Sequence, residues 1–343
     1  MEEIIIRSLT FFLDRKCSSI EYIEECYGKI SRELNILKTT IERLGYKVFT
    51  TRIVLAENPL KDLKIMLDRI NPNEHLVSLG VVKIWEISWE DVFEIVDNGF
   101  YIMVYGVFEK PLKYSSKISQ IIHKITDNNP ANGSRLAVSF HREYIETPYF
   151  PDTVSSGVSG IGISFLYPSL IKKYYIENNT FRGLTDYIKD HVYRIKRIVN
   201  EFYGENIRFF IDYSVSPWME NSVVDLIEAL GYQLLKPGFN YGIYILNDLI
   251  RELVEKIGFA NGFNEVMLPY AEDSKLIEAG GNKAIHAHHL LLYSMSCVAG
   301  PDMLVVPVST EKLTRYILDT YSVWVNKKKP LALRIIPVTG NPG

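Results

Sequence analysis

The sequence predicts an α/β protein whose largely parallel sheet closes into a ten-stranded α/β barrel of two five-stranded halves. Three observations carry this expectation. Apolar β-type runs alternate with helical patterns almost from end to end of the 343 residues. Most of these runs are continuous Val, Ile, Leu and Phe rather than strict alternations, which marks strands covered on both faces. Ten strands are also many for an open twisted sheet, and closure removes the exposed edges.

Taken in order, the first strand is expected at 4–11, followed by the best-defined helix at 18–44. Ser18 with Glu21 has the spacing of a capping box, and Gly45 supplies a left-handed stop. The apolar positions of this helix are Ile20, Ile23, Tyr27, Ile30, Leu34, Leu37, Ile41 and Leu44, in steps of three and four. Such a stripe either packs against a sheet, the favoured reading, or zips two subunits together. Strands at 46–55, 76–82, 100–108 and 135–140 complete the first five. Pro59 opens one helix between them, and Ser88 with Asp91 caps another. The second five strands fall at 160–167, 207–213, 264–269, 303–308 and 331–338, with a long helix near 184–202. No low-complexity linker divides the chain, so a single domain 1–343 is expected. The Pro- and Gly-rich stretch 147–162 marks possible internal halves, 1–146 and 147–343.

Composition bounds the function. Hydrophobic residues make up 47% and charged residues 23%, an ordinary globular mixture. A formal charge of −3 gives no global pull towards nucleic acid or an anionic membrane. The basic clusters at 189–197 and 327–329 read as solvated helix faces. The start, Met1-Glu2-Glu3, lacks the basic residues of a signal peptide, and no uncharged apolar stretch reaches the about 18 residues that span a bilayer. A cytoplasmic protein is expected, without nucleic acid or membrane partners, and a homodimer by base rate. Cys17, Cys26 and Cys297 are too few for a disulfide framework. Plentiful Ile, Tyr and Lys hint at a thermophile.

Four polar clusters sit at strand ends or in turns, where α/β proteins place their sites. His141-Arg142-Glu143, followed by Glu146-Thr147-Pro148-Tyr149-Phe150-Pro151, exposes an acid, a base and a fixed cation together, or is an ordinary charged loop. Gly157-Val158-Ser159-Gly160-Ile161-Gly162 lets backbone N–H groups approach an anion, although a tight turn explains it better. Asp212-Tyr213-Ser214-Val215-Ser216-Pro217 ends an apolar strand, where an Asp serves as base or metal ligand, or as a helix cap. Glu272 and Asp273 follow another strand; they present a carboxylate pair to a divalent cation, or they complement a helix macrodipole. Cys297 lies before Gly300-Pro301 and is a nucleophile candidate or a small buried hydrophobe. His286, His288 and His289 read as a solvated helix rather than a metal site. No G-x-S-x-G elbow, P-loop or paired C-x-x-C occurs.

Several segments together are identified with one family. They are Gly157 through Gly160, Asp212 through Pro217, Asn247-Asp248, Pro269 through Asp273, Cys297 through Met303, and Leu333-Arg334-Ile335-Ile336-Pro337-Val338. The whole set resembles the "domain of unknown function 711" family, also called uncharacterised protein family 0210. Arg7-Ser8-Leu9-Thr10 and Ile145 through Pro151 resemble its archaeal branch. The resemblance implies a barrel similar to pyruvate formate-lyase and other glycyl radical enzymes, with Cys297 on the interior loop. The Arg-Val-x-Gly-Tyr radical loop is missing, and Gly340 in the tail does not replace it, so glycyl radical chemistry is not expected.

The resulting expectation is an enzyme acting on a small polar or anionic metabolite inside the barrel. Asp212, Glu272, Asp273 and Cys297 would carry the chemistry, with Glu272 and Asp273 as ligands of any divalent cation. Gly157, Ser159, Ser214, Ser216 and Asn247 would hold the substrate, and Arg334 would clamp its anionic group. The alternative is a non-catalytic metabolite-binding or regulatory protein, and a third reading is a structural assembly on the 18–44 stripe.

Overall fold

The computed structural model describes residues 4–127, 129–298 and 300–340. The start Met1-Glu2-Glu3, Ala299 of the Cys297 motif and the last tail residues 341–343 lie outside the described residues. The strands are β1 (Ile5–Phe12), β2 (Lys47–Val54), β3 (Leu76–Lys83), β4 (Tyr101–Tyr105), β5 (Leu136–Phe140), β6 (Gly160–Leu166), β7 (Arg208–Asp212), β8 (Leu304–Val306), β9 (Leu331–Leu333) and β10 (Ile335–Pro337). The helices are α1 (Ile23–Arg43), α2 (Leu60–Met66), α3 (Trp89–Asp97), α4 (Pro111–Thr126), α5 (Pro168–Asn178), α6 (Leu184–Tyr203), α7 (Val223–Ala229), α8 (Phe239–Ile257), α9 (Ser274–Gly281), α10 (Ala287–Tyr293) and α11 (Thr310–Lys327). Among the described residues no helix is long and apolar enough to cross a membrane.

The protein is a mixed α/β structure with one large sheet of eight strands in the order β7-β6-β1-β2-β3-β4-β5-β9, plus the pair β10-β8. Strands β1 to β5 run parallel and side by side. The later strands flank that block on both edges: β6 pairs antiparallel with β1, and β9 antiparallel with β5. A closed ten-stranded ladder is not what the strands form, because no ladder joins β7 to β9 among the described residues. Residues 264–269, expected as a strand, make none. Glu265 N donates to Ser214 Oγ and Val266 N to Asn247 Oδ1, so side chains take the place of a partner strand's carbonyls. The run 331–338 breaks at Arg334, whose backbone N donates to Pro301 O, and its two pieces join different sheets. Single backbone hydrogen bonds do pass between the two edges. Asn261 N donates to Ile211 O, Met267 N to Val215 O, Val298 N to Val266 O, and Gly300 N to Ala332 O.

Both faces of the sheet are buried, as the apolar runs demand. Phe11, Ile53 and Ile211 belong to the core shared with the helices, whereas Phe12, Val54 and Phe210 pack on the opposite side against Phe150. The α1 stripe from Ile23 to Ile41 is buried within the chain's own core, which overturns the subunit-zipper reading. The expected Ser18–Glu21 capping box does not form; Ser18 Oγ instead accepts from Ala56 N, and the helix begins after Tyr22. The Ser88–Asp91 box is present, and Gly45 adopts φ +90°. Cys17 and Cys26, two of three cysteines whose number implied no disulfide framework, form a disulfide with their Cα atoms 5.5 Å apart. The turn between β1 and α1 brings them together, a proximity that their spacing alone does not reveal.

The second face is covered by chain rather than by helices. Every residue from 145 to 155 is buried, although the segment has neither helix nor extended strand. A buried loop must satisfy its backbone groups locally. Here Pro148 O accepts from Arg52, Thr153 O accepts from Ser78 Oγ, Val154 N donates to Ile145 O, and Ser155 N donates to Leu55 O. Val154 packs on Val81 and Met103. It also lies over Gly80, where a Cβ would come within 3.1 Å of Val154 and of Leu55 O.

Candidate active site

Beside this segment lies a cavity of about 350 Å³. Arg7 of β1, Thr50 and Arg52 of β2 and Tyr101 of β4 line one side, with Tyr149 and Asp152 from the buried segment. Ser216 and Trp218 after β7, Glu272, Asp302 and Arg334 complete the polar lining. Phe49 and Trp218, 36% and 38% exposed, pack at 5.2 Å and form its solvent side.

Most of the charge in the cavity is paired within the protein. Arg7 NH2 donates to Glu272 Oε2 at 2.6 Å, and Arg334 NH2 to Glu272 Oε1 at 3.3 Å. Arg334 also grips Asp302 through Nε at 2.6 Å and NH2 at 2.8 Å, a bidentate arrangement. Burial works against the Arg334 charge, but Asp302 and Glu272 outweigh it and hold its pKa above the ordinary guanidinium value.

Arg52 is different. It is only 7% exposed, and its hydrogen bonds go to neutral oxygens, Thr50 Oγ1 at 3.0 Å and Pro148 O at 2.9 Å. Among the described residues no carboxylate forms an ion pair with it. Its guanidinium lies 5.0 Å from the Phe150 ring centroid. Burial, reinforced by the Arg7 charge, pulls its pKa down to about 10, so it stays a cation at neutral pH. Nearby, Arg7 Nε and Ser216 Oγ are buried without hydrogen-bond partners. Two donors around one cavity thus lack an acceptor, and the Arg52 cation beside them lacks a counter-ion.

Asp152 is the titratable group of the cavity. Ser139 Oγ donates to its Oδ1. Burial raises its carboxyl to about 7, with the Asp302 charge adding to the rise and Ser139 and Arg334 opposing it. A carboxyl poised there gives up and takes back a proton near neutral pH.

Of the residues expected to carry chemistry or hold the substrate, Glu272, Ser216 and Arg334 line the cavity and the others do not, while Tyr149 and Phe150 of the cluster after His141 line it too. Asp212 accepts from Ser214 Oγ and from the Ser214 and Asn264 backbone N–H groups through Oδ1, and from Thr147 Oγ1 and Phe263 N through Oδ2. It pins three segments together, and Gly262 at φ +106° leaves room for it: a Cβ there would lie 2.2 Å from Asp212 Oδ2. Asp273 accepts from Ser222 Oγ and from the N–H groups of Val223, Val224 and Lys275, which caps α7 and α9. With Glu272 held by arginines and Asp273 by N–H donors, the pair does not face one cation. Among the described residues no group of three or more His, Cys, Asp or Glu is placed to hold a metal ion. Cys297 is 1% exposed and sits in the hydrophobic core. Ser214 serves Asp212, Asn247 bridges Ser296 O and Val266 N, Ser159 bonds Asp14, and Gly157 N donates to Ser155 Oγ in a turn.

Sequence reasoning gave no site role to Arg7, Arg52 or Asp152, although Arg7 lay in a segment that carried the family resemblance. The two arginines did carry a signal. Each sits inside a strand, Arg7 after Ile6 and Arg52 before Ile53, and a buried cation there must meet either a counter-ion or a ligand.

A family model described as Uncharacterised ACR (DUF711) matches residues 109–343. UPF0210 protein MK1214 of Methanopyrus kandleri is 29% identical over 234 residues, 63% of this chain and 49% of that protein. UPF0210 protein Teth514_2074 of a Thermoanaerobacter species is 27% identical over 200 residues, 54% of this chain and 43% of that protein. A UPF0210 protein of Bifidobacterium adolescentis is 25% identical over 240 residues, 65% and 53% respectively. The chain spans about half the length of the curated relatives it matches.

Proposed function

The chain belongs to the DUF711 family, and from that premise we propose that its cavity binds a small anionic metabolite on Arg52 and moves a proton to or from it through Asp152. The observation that carries this is the buried Arg52 guanidinium without a carboxylate. An unpaired buried charge is costly, and an anion arriving from solvent removes that cost. With Asp152 protonated, Arg7, Arg52 and Arg334 face only Glu272 and Asp302, so one positive charge is left over for a monoanion. A volume of about 350 Å³ suits a small metabolite. Arg52, Arg7 Nε and Ser216 Oγ orient the anion, the aromatic walls exclude water, and Asp152 exchanges the proton. The relay of backbone hydrogen bonds between β7 and β9 supports a barrel whose wall is completed by irregular chain rather than by strands.

Thermal unfolding in the presence of small carboxylates and of inorganic phosphate tests the binding step. At least one of them is expected to raise Tm, and Arg52→Gln to abolish the rise. A wild-type Tm that none of them moves, or an Arg52→Gln variant that responds fully, sinks the reading. Cavity charges other than Arg52 and Asp152 are already paired, which also suits a rigid binding pocket without turnover. Incubating the bound carboxylate in deuterated water separates the two. Deuterium entering the ligand in wild type but not in Asp152→Asn supports catalysis, and no entry in either supports the binding protein.

A further inference from the structure

The carboxyl end of β5 opens on a second cavity, of about 820 Å³, which the proposed reaction does not use. His141, the residue after β5, lines it and is 3% exposed. Its Nε2 faces Met103 Sδ at 3.4 Å, and its Nδ1 is buried without a hydrogen-bond partner. Burial pulls the imidazole down to about 4, only partly offset by the Glu143 backbone, so the ring is neutral at physiological pH. A buried polar atom left unpaired costs free energy until a ligand or water supplies its partner.

The rest of the lining mixes aromatic, basic and acidic side chains. Trp324 and Tyr144 stand on it, and Trp324 is held in place by Phe108 and Phe140 at 5.2 and 6.2 Å. Lys329 is taken by Glu265, and Glu146 by Arg208. Arg142 and Lys328 form no ion pair among the described residues and are exposed at the rim. Glu143, exposed beside Arg142, forms no ion pair among the described residues either, so the rim carries two such cations against one such acid. The two cavities are separate chambers. Ile145, Glu146 and Gly262 line this one, while Tyr149, Asp152 and Phe263, a few residues on, line the first.

We propose that this second cavity binds an aromatic anion. Its ring lies against Trp324 and Tyr144, its charge is met by Arg142 and Lys328, and a polar atom of the ring system bonds His141 Nδ1. Arrival of such a ligand satisfies the buried nitrogen and both rim cations at once, which neither an apolar ligand nor a bare inorganic anion does.

The test titrates the full chain with anilinonaphthalene sulfonate, an aromatic sulfonate whose fluorescence rises on binding. Wild type is expected to show one saturable site. Arg142→Gln combined with Lys328→Asn should weaken it about tenfold or more, the loss of two charge-assisted contacts. Asn is chosen because Lys328 has φ +59°, which Asn tolerates. His141→Phe, which keeps the ring and removes the nitrogens, should weaken it too, whereas Arg52→Gln in the first cavity should not. No saturable binding in wild type overturns the proposal, as does unchanged affinity in the double variant or in His141→Phe. Binding lost only in Arg52→Gln would assign the probe to the first cavity and overturn it equally.

Discussion

Arg52 and Asp152 are both buried beside one cavity, and the consequences are opposite in sign. Arg52 retains its charge and asks for an anion. Burial favours the neutral form of Asp152 and raises its carboxyl from 3.8 to about 7. The stability from a raised carboxyl is fully present below the unfolded value and is lost as pH rises through the folded one. Asp152→Asn should therefore match wild type near pH 4 and exceed it in stability above about pH 7. Denaturant melts across that range check this, and parallel curves would refute it. Asp212 is a different kind of buried acid, because both of its oxygens accept several hydrogen bonds from the protein. Asp212→Ala strands the Thr147 and Ser214 hydroxyls and three backbone N–H groups, and should cost about 3 kcal/mol or more by chemical denaturation.

Single elements follow their sequence signals where the partner is a neighbouring strand or helix. The parallel strands β1 to β5 were legible because apolar runs covered on both faces have few other homes. Helix α1 was legible from its stripe, and which surface it meets is now settled as the chain's own core. Ile30→Lys should accordingly unfold the protein rather than dissociate subunits, at a cost above about 4 kcal/mol in circular-dichroism melts. A folded but dissociated variant would reverse that conclusion. Residues 264–269 misled because their apolar composition is that of a strand, while Ser214 and Asn247 supply the hydrogen bonds from side chains. No periodicity in the segment itself records what its partners will be.

At the scale of the molecule, the site was less legible than the fold, for a topological reason. Asp152 reaches the cavity only because residues 145–155 turn back over the sheet, and Arg52 is left unpaired only because the nearby acids are claimed by Arg7 and Arg334. Glu272 and Arg334 could be picked out individually, but their pairing with each other could not. The buried segment is the hub of this arrangement. Val154→Ala should cost about 1–3 kcal/mol through the space it leaves against Val81 and Met103, and should speed amide exchange throughout 145–155. Slow exchange there, unchanged from wild type, would show the segment to be held by its flanks instead. Because that stretch has no regular structure of its own, it behaves like a casting whose shape is set by the surrounding mould. Recasting it, by changing a few of its side chains while the strands stay as they are, would reshape both chambers together. New ligand preferences could then arise in this scaffold without a new fold.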